Sequence, residues 1–147
     1  MNELIDPVQT SFVELTEEEC LELLRTQEVG RLAVVDCGYP LVFPVNYALE
    51  GGAVIVRTDA GTKLAAARMD RVGFEVDHIH REMASGWSVL ISGVAVELTP
   101  GSGEKYRHAV TVAAETWAPG EKGHVLKIVP VRTTGRLLTS GDDAQPR

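Results

Sequence analysis

Short runs rich in β-branched residues, each closed by a turn signal, follow one another along this chain and constrain its fold more than any other feature. Glycine-bearing turns around Gly38 and Gly51 separate the first three runs, as is typical of strands joined by hairpins. Short turns connecting strands favour an antiparallel sheet over the alternating strand–helix order of a parallel one. Six strands are predicted, at residues 31–36, 41–49, 53–58, 72–77, 87–98, and 124–130 continuing into 134–138.

Helical patterns interrupt these strands. Thr16 is followed three residues later by Glu19, which is the spacing of a capping box and predicts a helix over about residues 17–27. Further helices are expected at residues 61–69 and at about 103–114. We therefore predict an α+β fold, mainly β with helices, built as a six-stranded antiparallel split barrel over residues 15–139. Residues 1–14 are expected to form an arm and residues 140–147 a flexible tail.

The charge balance and the cysteines narrow the classes of function. The chain has 21 acidic and 14 basic side chains and a net charge of −7, which argues against a nucleic-acid surface. No apolar stretch approaches the roughly 20 residues that cross a bilayer, and the acidic start lacks the pattern of a signal peptide. We expect a cytoplasmic protein in which Cys20 and Cys37 are free thiols in a reducing compartment.

The strongest local signal is a strand that ends in Arg57 and Thr58, followed by a turn at Gly61 and a helix that opens with Thr62 and Lys63. A helix N-terminus offers backbone N–H groups to anions, and arginine, lysine and hydroxyl groups also bind phosphate. The segment predicts a site for a terminal phosphate. The alternative is an exposed loop with solvated cations and a threonine that caps the helix. Neither a Walker loop nor a dinucleotide fingerprint is present.

Other residues allow two interpretations each. His78 and His80 form a candidate metal pair, but two ligands are too few and a solvated loop fits better. Trp87 and Trp117 carry rings that stack well on planar ligands, yet either fits a core or an interface. His124 begins the last strand and is typical of an ordinary strand-edge histidine. No catalytic grouping of side chains is evident.

Five segments together carry a resemblance to a known family: residues 28–33, 43–47, 56–58, 61–65 and 86–93. Their order and spacing resemble the pyridoxamine 5'-phosphate oxidase-like, FMN-binding split-barrel proteins, and more narrowly the branch that includes nitroimidazole-resistance flavoproteins. The likeness extends over about residues 15–138.

This resemblance implies a homodimer with FMN bound between the subunits. It implies that the isoalloxazine ring lies along Pro44, Val45 and Asn46. The ribityl phosphate would be held by Arg57, Thr58, Thr62 and Lys63, and the cofactor would be approached from the fifth strand by Trp87 and Ser88. It also makes His124 a candidate on the substrate side, because that region reaches the partner's flavin in some relatives.

One departure from the family pattern bears on the reaction. True pyridoxamine phosphate oxidases carry a C-terminal arginine/histidine motif that binds substrate, whereas residues 130–137 of this chain contain arginines with no histidine between them. Oxidation of vitamin B6 is therefore not assigned. The resemblance favours an FMN-dependent oxidoreductase acting on a small molecule. The alternatives are a split barrel that binds a deazaflavin coenzyme or haem, and a dimeric flavin-binding module without turnover.

Overall fold

A computed structural model describes residues 10–59, 61, 70–114 and 123–140 of the chain. Within these ranges one antiparallel sheet is accompanied by two α-helices and a 3-10 turn. The helices are α1 (Glu17–Leu24) and α2 (Glu104–Val112), and the 3-10 turn is Pro100–Ser102. The strands are β1 (Thr10–Leu15), β2 (Val29–Asp36), β3 (Tyr39–Asn46), β4 (Ala48–Glu50), β5 (Ala53–Thr58), β6 (Arg71–His80), β7 (Ser85–Leu98) and β8 (His124–Ser140).

The sheet curls until its two ends meet. Its strand order is β3-β2-β6-β7-β8-β5-β4, with β1 paired to β8 beside this path. The end strands β3 and β4 are consecutive in the chain and are joined by Tyr47, and β3 also contacts β5. The described residues thus form an antiparallel barrel of the split type, which confirms the predicted α+β class.

Strand β8 joins the two halves of the sheet. Its first residues pair with β5, from His124 opposite Thr58 onward, and its last residues pair with β1, ending with Ser140 opposite Thr10. Strand β7 accompanies β8 along both halves, and a bulge between Ser92 and Gly93 bends the pair. A β-bulge increases the local twist and bends the strand, so β8 can pair with β5 at one end and with β1 at the other.

Alternate residues of these strands fill the barrel. Phe74, Leu32, Ile91, Leu126 and Ile128 are all fully buried in one cluster, as expected when every second side chain of a strand points inward. A smaller cluster lies between α2 and the outside of the sheet, made of Ile55, Leu98, Ala109, Ala113 and Val125. None of the helices within the described ranges has the length and apolar character needed to traverse a bilayer.

Helix α1 begins with the predicted capping box. The Glu19 N–H donates to Thr16 Oγ1 at 3.2 Å, and the Thr16 N–H donates to Glu19 Oε1 at 3.1 Å. The helix ends at Leu24, three residues earlier than predicted. It buries Cys20 and Leu24 completely. Gly135 of β8 makes room for it, since a Cβ at that position would come within 2.5 Å of Cys20 Sγ.

The sheet has eight strands where six were predicted. Residues 10–14, assigned to an arm, belong to β1, whose exposed Phe12 and Val13 give no burial pattern to detect. The predicted strand over 41–49 is divided into β3 and β4, because Tyr47 leaves the ladder and turns its ring into the core. Residues 78–86, predicted as a polar connection, mostly extend β6 and β7 around a short turn. The helix predicted at 61–69 falls largely outside the described residues.

Candidate functional site

One broad face of the barrel carries most of the described residues that the sequence singled out. We call the outward-pointing side of β5, β3, β2, β6 and β7 the outward face. On each of these strands every second residue, such as Leu32, Phe74 or Val89, fills the core. The residues on either side of it therefore point away from the core. Cross-strand pairing places Pro44 beside Arg31, Arg31 beside Glu75, and Glu75 beside Leu90.

At one side of this face, three predicted residues lie on strands β3 and β5, which contact each other; we call this place the β3–β5 seam. Pro44 and Asn46 lie on β3 and Arg57 lies on β5, whose Ile55 pairs with Ala48 of β4. Asn46 and Arg57 are both half-buried, and Pro44 is exposed. The seam therefore presents a cation and an amide at the surface, next to a residue without a backbone donor.

At the other side of the face, Ser88 lines a cavity of about 320 Å³ together with Glu75, Leu90, Thr134, Gly135 and Arg136. We call this cavity the β7–β8 groove. A second cavity of about 370 Å³ shares Leu90, Thr134, Gly135 and Arg136 with it and adds Arg132 and Glu14. Together they form an open depression of the size that small-molecule sites occupy.

A charged cluster connects these two places. The Arg31 Nη1 atom lies 3.6 Å from Asp77 Oδ1 and 4.0 Å from Glu75 Oε1. Burial, together with the hydrogen bond and the negative charge of Asp77, raises the pKa of Glu75 to about 7, against the opposing charge of Arg31. Among the atoms of the described residues, Glu75 Oε1 is buried without a hydrogen-bond partner. The carboxyl group therefore titrates near neutral pH.

Three of the predicted site residues point their side chains inward. Val45 and Trp87 are 6% and 8% exposed and belong to the core cluster. Thr58 is buried, and its hydroxyl donates to the backbone oxygen of Asp59 at 3.2 Å. The alternation of a strand explains this arrangement, because Val45 and Trp87 each neighbour a residue that points outward. A ligand on the outward face meets the Ser88 side chain rather than the Trp87 ring.

Thr62 and Lys63, on which half of the predicted phosphate contacts depend, lie outside the described residues, as does Trp117. Of the nine predicted site residues, Pro44, Asn46, Arg57 and Ser88 therefore remain on the outward face. Arg57 and Asn46 lie on the two strands of the seam, and Ser88 lies apart from them in the groove.

His124 has a partner that sequence reasoning missed. Its Nδ1 atom lies 2.9 Å from Glu97 Oε1, and the side chains are 39% and 13% exposed. His124 also pairs with Thr58 across β5 and β8. A carboxylate on Nδ1 fixes the orientation of an imidazole ring. Since 27 residues separate the two side chains, no local sequence signal indicates the contact.

His78 and His80 lie in β6 rather than in a loop. Their rings contact each other edge to face, with centroids 4.3 Å apart. The described residues contain no cluster of three or more potential metal ligands.

Glu75 and Asp77 were also missed by sequence reasoning, although a signal was available. Residues 72–77 alternate strictly, and Val72, Phe74 and Val76 are the buried set. The intervening residues must then share the opposite face, so two carboxyl groups two residues apart are side by side. Arg31, their cation, lies on β2 and required knowledge of the strand pairing.

An antiparallel split barrel with an open groove on its outer surface defines a class of small β proteins. The chain belongs to the pyridoxamine 5'-phosphate oxidase family, whose model matches residues 16–137. This match confirms the family that the sequence resemblance indicated.

Three solved structures are similar over most of their length. A Corynebacterium glutamicum protein provisionally assigned as a pyridoxamine 5'-phosphate oxidase is 30% identical, with a TM-score of 0.76 and coverage of 90% of this chain and 96% of that one. A FAD-binding protein from Mesorhizobium loti is 26% identical, with a TM-score of 0.75 and coverage of 89% and 99%. The FAD binding protein from Mycobacterium smegmatis is 28% identical, with a TM-score of 0.66 and coverage of 86% and 98%.

Proposed function

We propose that this protein binds a flavin, with FMN as its cofactor, and acts as an oxidoreductase on a small molecule. The observation that supports this proposal is the contact of β3, which carries Pro44 and Asn46, with β5, which carries Arg57. These residues come from separate segments of the chain, and each was expected at a flavin from sequence. The two relatives from Mesorhizobium loti and Mycobacterium smegmatis, both FAD-binding proteins, support a flavin as the class of ligand.

The residues at the seam suit the two ends of a flavin nucleotide. The Arg57 guanidinium has the planar donor geometry that matches a phosphate, and the Asn46 amide offers both a donor and acceptors. Pro44 lacks a backbone N–H, so a ring placed against it leaves no donor unpaired. When bound, the flavin supplies hydride and electron transfer. The protein then has to orient the ring and admit the substrate, for which no catalytic acid or base is required.

The separation of the seam from the β7–β8 groove favours a homodimer. Asn46 on β3 and Ser88 on β7 are three strand steps apart, or about 14 Å at roughly 4.8 Å per step. In a two-fold dimer, the same surface of both subunits meets itself. The groove of one protomer then lies over the seam of its partner, and one flavin contacts both. We propose this arrangement for the outward face.

Oxidation of pyridoxamine 5'-phosphate itself is not part of the proposal. Residues 130–137 lie on β8 and contain arginines without the histidine of the true oxidases. The substrate is therefore a different small molecule.

A titration tests the proposal. Purified protein should quench the fluorescence of FMN, and Arg57→Glu should weaken FMN binding at least tenfold, because a carboxylate replaces the cation that faces the phosphate. Lys63→Glu is expected from sequence to act in the same direction. Arg107→Glu, at an exposed position on α2, serves as the matched control and should bind FMN like the unaltered protein.

Parallel titrations with FAD and haemin distinguish the alternatives. Tighter binding of FAD than of FMN would keep the flavin class and correct the cofactor. Binding of haemin without any flavin binding would overturn the proposal. Equal FMN affinity of Arg57→Glu and Arg107→Glu would remove the phosphate from the seam.

A further inference from the structure

We propose that Arg132 and Arg136 form a binding site, in the β7–β8 groove and the cavity that adjoins it, for a small molecule in which an oxyanion is attached to a short apolar body. The two guanidinium groups bind the oxyanion, which is a carboxylate or a phosphate. Calling this molecule the substrate rests on the proposed function, because the same groove contains Ser88, the residue expected at the flavin.

The strand register places the two arginines on one side of the sheet. Each pairs with a serine of β7, and a threonine lies midway between them on β8. Ser88 pairs with Arg136, Ser92 pairs with Arg132, and the threonine is Thr134. Because alternate side chains of a strand point the same way, these residues share the outer side of the sheet. Both arginines line the cavity of about 370 Å³, so their charges act on one space.

The donor groups of both arginines are available to a ligand. Within the described ranges, neither guanidinium has a hydrogen-bond or ion-pair partner, and both side chains are exposed. The Arg136 guanidinium lies over the Phe12 ring, with its central carbon 5.9 Å from the ring centroid. This cation–π contact holds the side chain in place and uses none of its N–H donors.

The surface between the two arginines is apolar. Leu90 pairs with Thr134 at the midpoint, lines both cavities, and is 47% exposed. Cα atoms four residues apart on a strand are separated by about 13 Å, so the two guanidinium groups lie on either side of Leu90. An apolar body placed on this leucine therefore has a cation near each of its ends.

Two carboxyl groups also line the depression, Glu14 in one cavity and Glu75 in the other. Glu75 lies beside Arg31, whose Nη1 atom is 4.0 Å from its Oε1 atom, so a cation of β2 opposes its charge. Glu14 is opposite Arg136 in the pairing of β1 with β8. Its negative charge should weaken the binding of an anion, and its removal should have the opposite effect to removal of an arginine.

Three ligands that share a benzene ring test the site. Benzoate and phenyl phosphate each carry an oxyanion, whereas benzamide carries an uncharged amide. Isothermal titration calorimetry of the full chain should show that the better of the two anions binds about tenfold tighter than benzamide, because charged hydrogen bonds are stronger than neutral ones. Higher ionic strength should weaken the binding of the anions alone. The preference between the two anions identifies the kind of oxyanion.

Variants of the lining residues should change anion affinity in opposite directions. Arg132→Gln and Arg136→Gln should each weaken the better anion about tenfold, since each removes charged hydrogen bonds, and should leave benzamide unaffected. Glu14→Gln should strengthen anion binding about two- to fivefold, because it removes a like charge at the surface. Arg107→Gln, at an exposed position on α2, is the matched control and should bind all three ligands like the unaltered protein.

The flavin itself reports whether the bound molecule lies at the cofactor. Addition of the better anion to FMN-loaded protein should shift the absorption bands of the flavin, because the ligand then lies beside the ring. An unchanged spectrum with anion bound would overturn the assignment as substrate. The same assignment would fail if Arg132→Gln and Arg136→Gln weakened the binding of FMN and left that of riboflavin, which lacks the phosphate, unaltered. The arginines would then hold the phosphate of the flavin.

The outcomes separate this inference from the proposed function. Equal affinities for benzoate, phenyl phosphate and benzamide, or unchanged anion affinity in both arginine variants, would overturn the anion site and leave the flavin proposal standing. Anion binding that depends on the two arginines, in a protein that binds no flavin, would overturn the proposed function and support the anion site.

Discussion

Tyr47 connects three parts of the molecule. Its N–H donates to the Glu28 oxygen at 3.0 Å, and its hydroxyl donates to the Leu24 oxygen at the end of α1 at 2.5 Å. Its ring meets Phe74 edge to face, with centroids 5.1 Å apart. Burial, with a smaller effect of Glu28, raises the pKa of Tyr47 well above its usual value. The hydroxyl thus stays protonated, and remains a donor, at neutral pH.

Tyr47→Phe should destabilise the fold. The substitution leaves the buried Leu24 oxygen without its donor, which costs about 1–3 kcal/mol. The free energy of unfolding from urea denaturation measures the loss. Tyr39→Phe is the control, because Tyr39 is 73% exposed, and it should change stability by less than about 0.5 kcal/mol. Equal stability of the two variants would mean that the Tyr47 hydroxyl bond contributes nothing net.

Single residues show how much of the candidate site can be predicted from the sequence. Arg57 was predicted at a phosphate from the strand end that it marks, and Asn46 was placed at the same cofactor by the family resemblance; the two residues lie on strands that contact each other. Glu97 was missed because its partner His124 lies on another strand, and the cation beside Glu75, Arg31, also lies on another strand. The significance of a carboxyl group in a sheet depends on which strands pair, and strand order is a long-range property that one sequence does not reveal.

At the scale of elements, the contact of α1 with β8 depends on Gly135. Gly135→Ala would place a Cβ within 2.5 Å of Cys20 Sγ and within 3.3 Å of two Leu15 atoms, so the Cys20 side chain or α1 must shift. Overpacking of this kind costs about 1–3 kcal/mol, which the thermal midpoint should report. Gly52→Ala is the matched control, since its Cβ would have no neighbour within 4 Å.

A double variant assigns the cause. Gly135→Ala combined with Cys20→Ala removes the closest of the clashing atoms, so the two effects should be less than additive. Strict additivity would place the strain at Leu15 instead of at the helix.

The boundaries of the strands have local physical causes. The last strand was predicted over residues 124–130 and 134–138, and β8 runs without interruption from His124 to Ser140. Pro130 pairs with Gly93 at the bulge, where a residue without a backbone donor is tolerated. The capping box, in contrast, was predicted correctly, because all of its contacts lie within four residues.

For the whole molecule, the outward face is the surface by which two copies should associate. Val42, Val35 and Leu90 are 63%, 57% and 47% exposed on it, and exposed apolar patches mark interaction surfaces. Val42→Lys should convert the expected dimer into a monomer in sedimentation experiments and weaken FMN binding in parallel, because in the proposed dimer the flavin contacts both subunits.

His108→Lys, on the exposed side of α2, introduces the same side chain away from this face and should remain dimeric. If Val42→Lys sediments as a dimer with unchanged FMN affinity, the two copies meet elsewhere.

Strand β8 has a further consequence for how the molecule is made. Thr10 and Ser140, from the first and last strands, lie side by side, and β5 and β7 also depend on β8 for one of their neighbours. During translation, β8 leaves the ribosome after β1, β5 and β7. Until residues 124–140 emerge, the nascent chain carries three unpaired strand edges, which are prone to pair with other chains. Closure of the barrel is therefore among the last events of its biosynthesis, and contacts so distant in sequence form slowly.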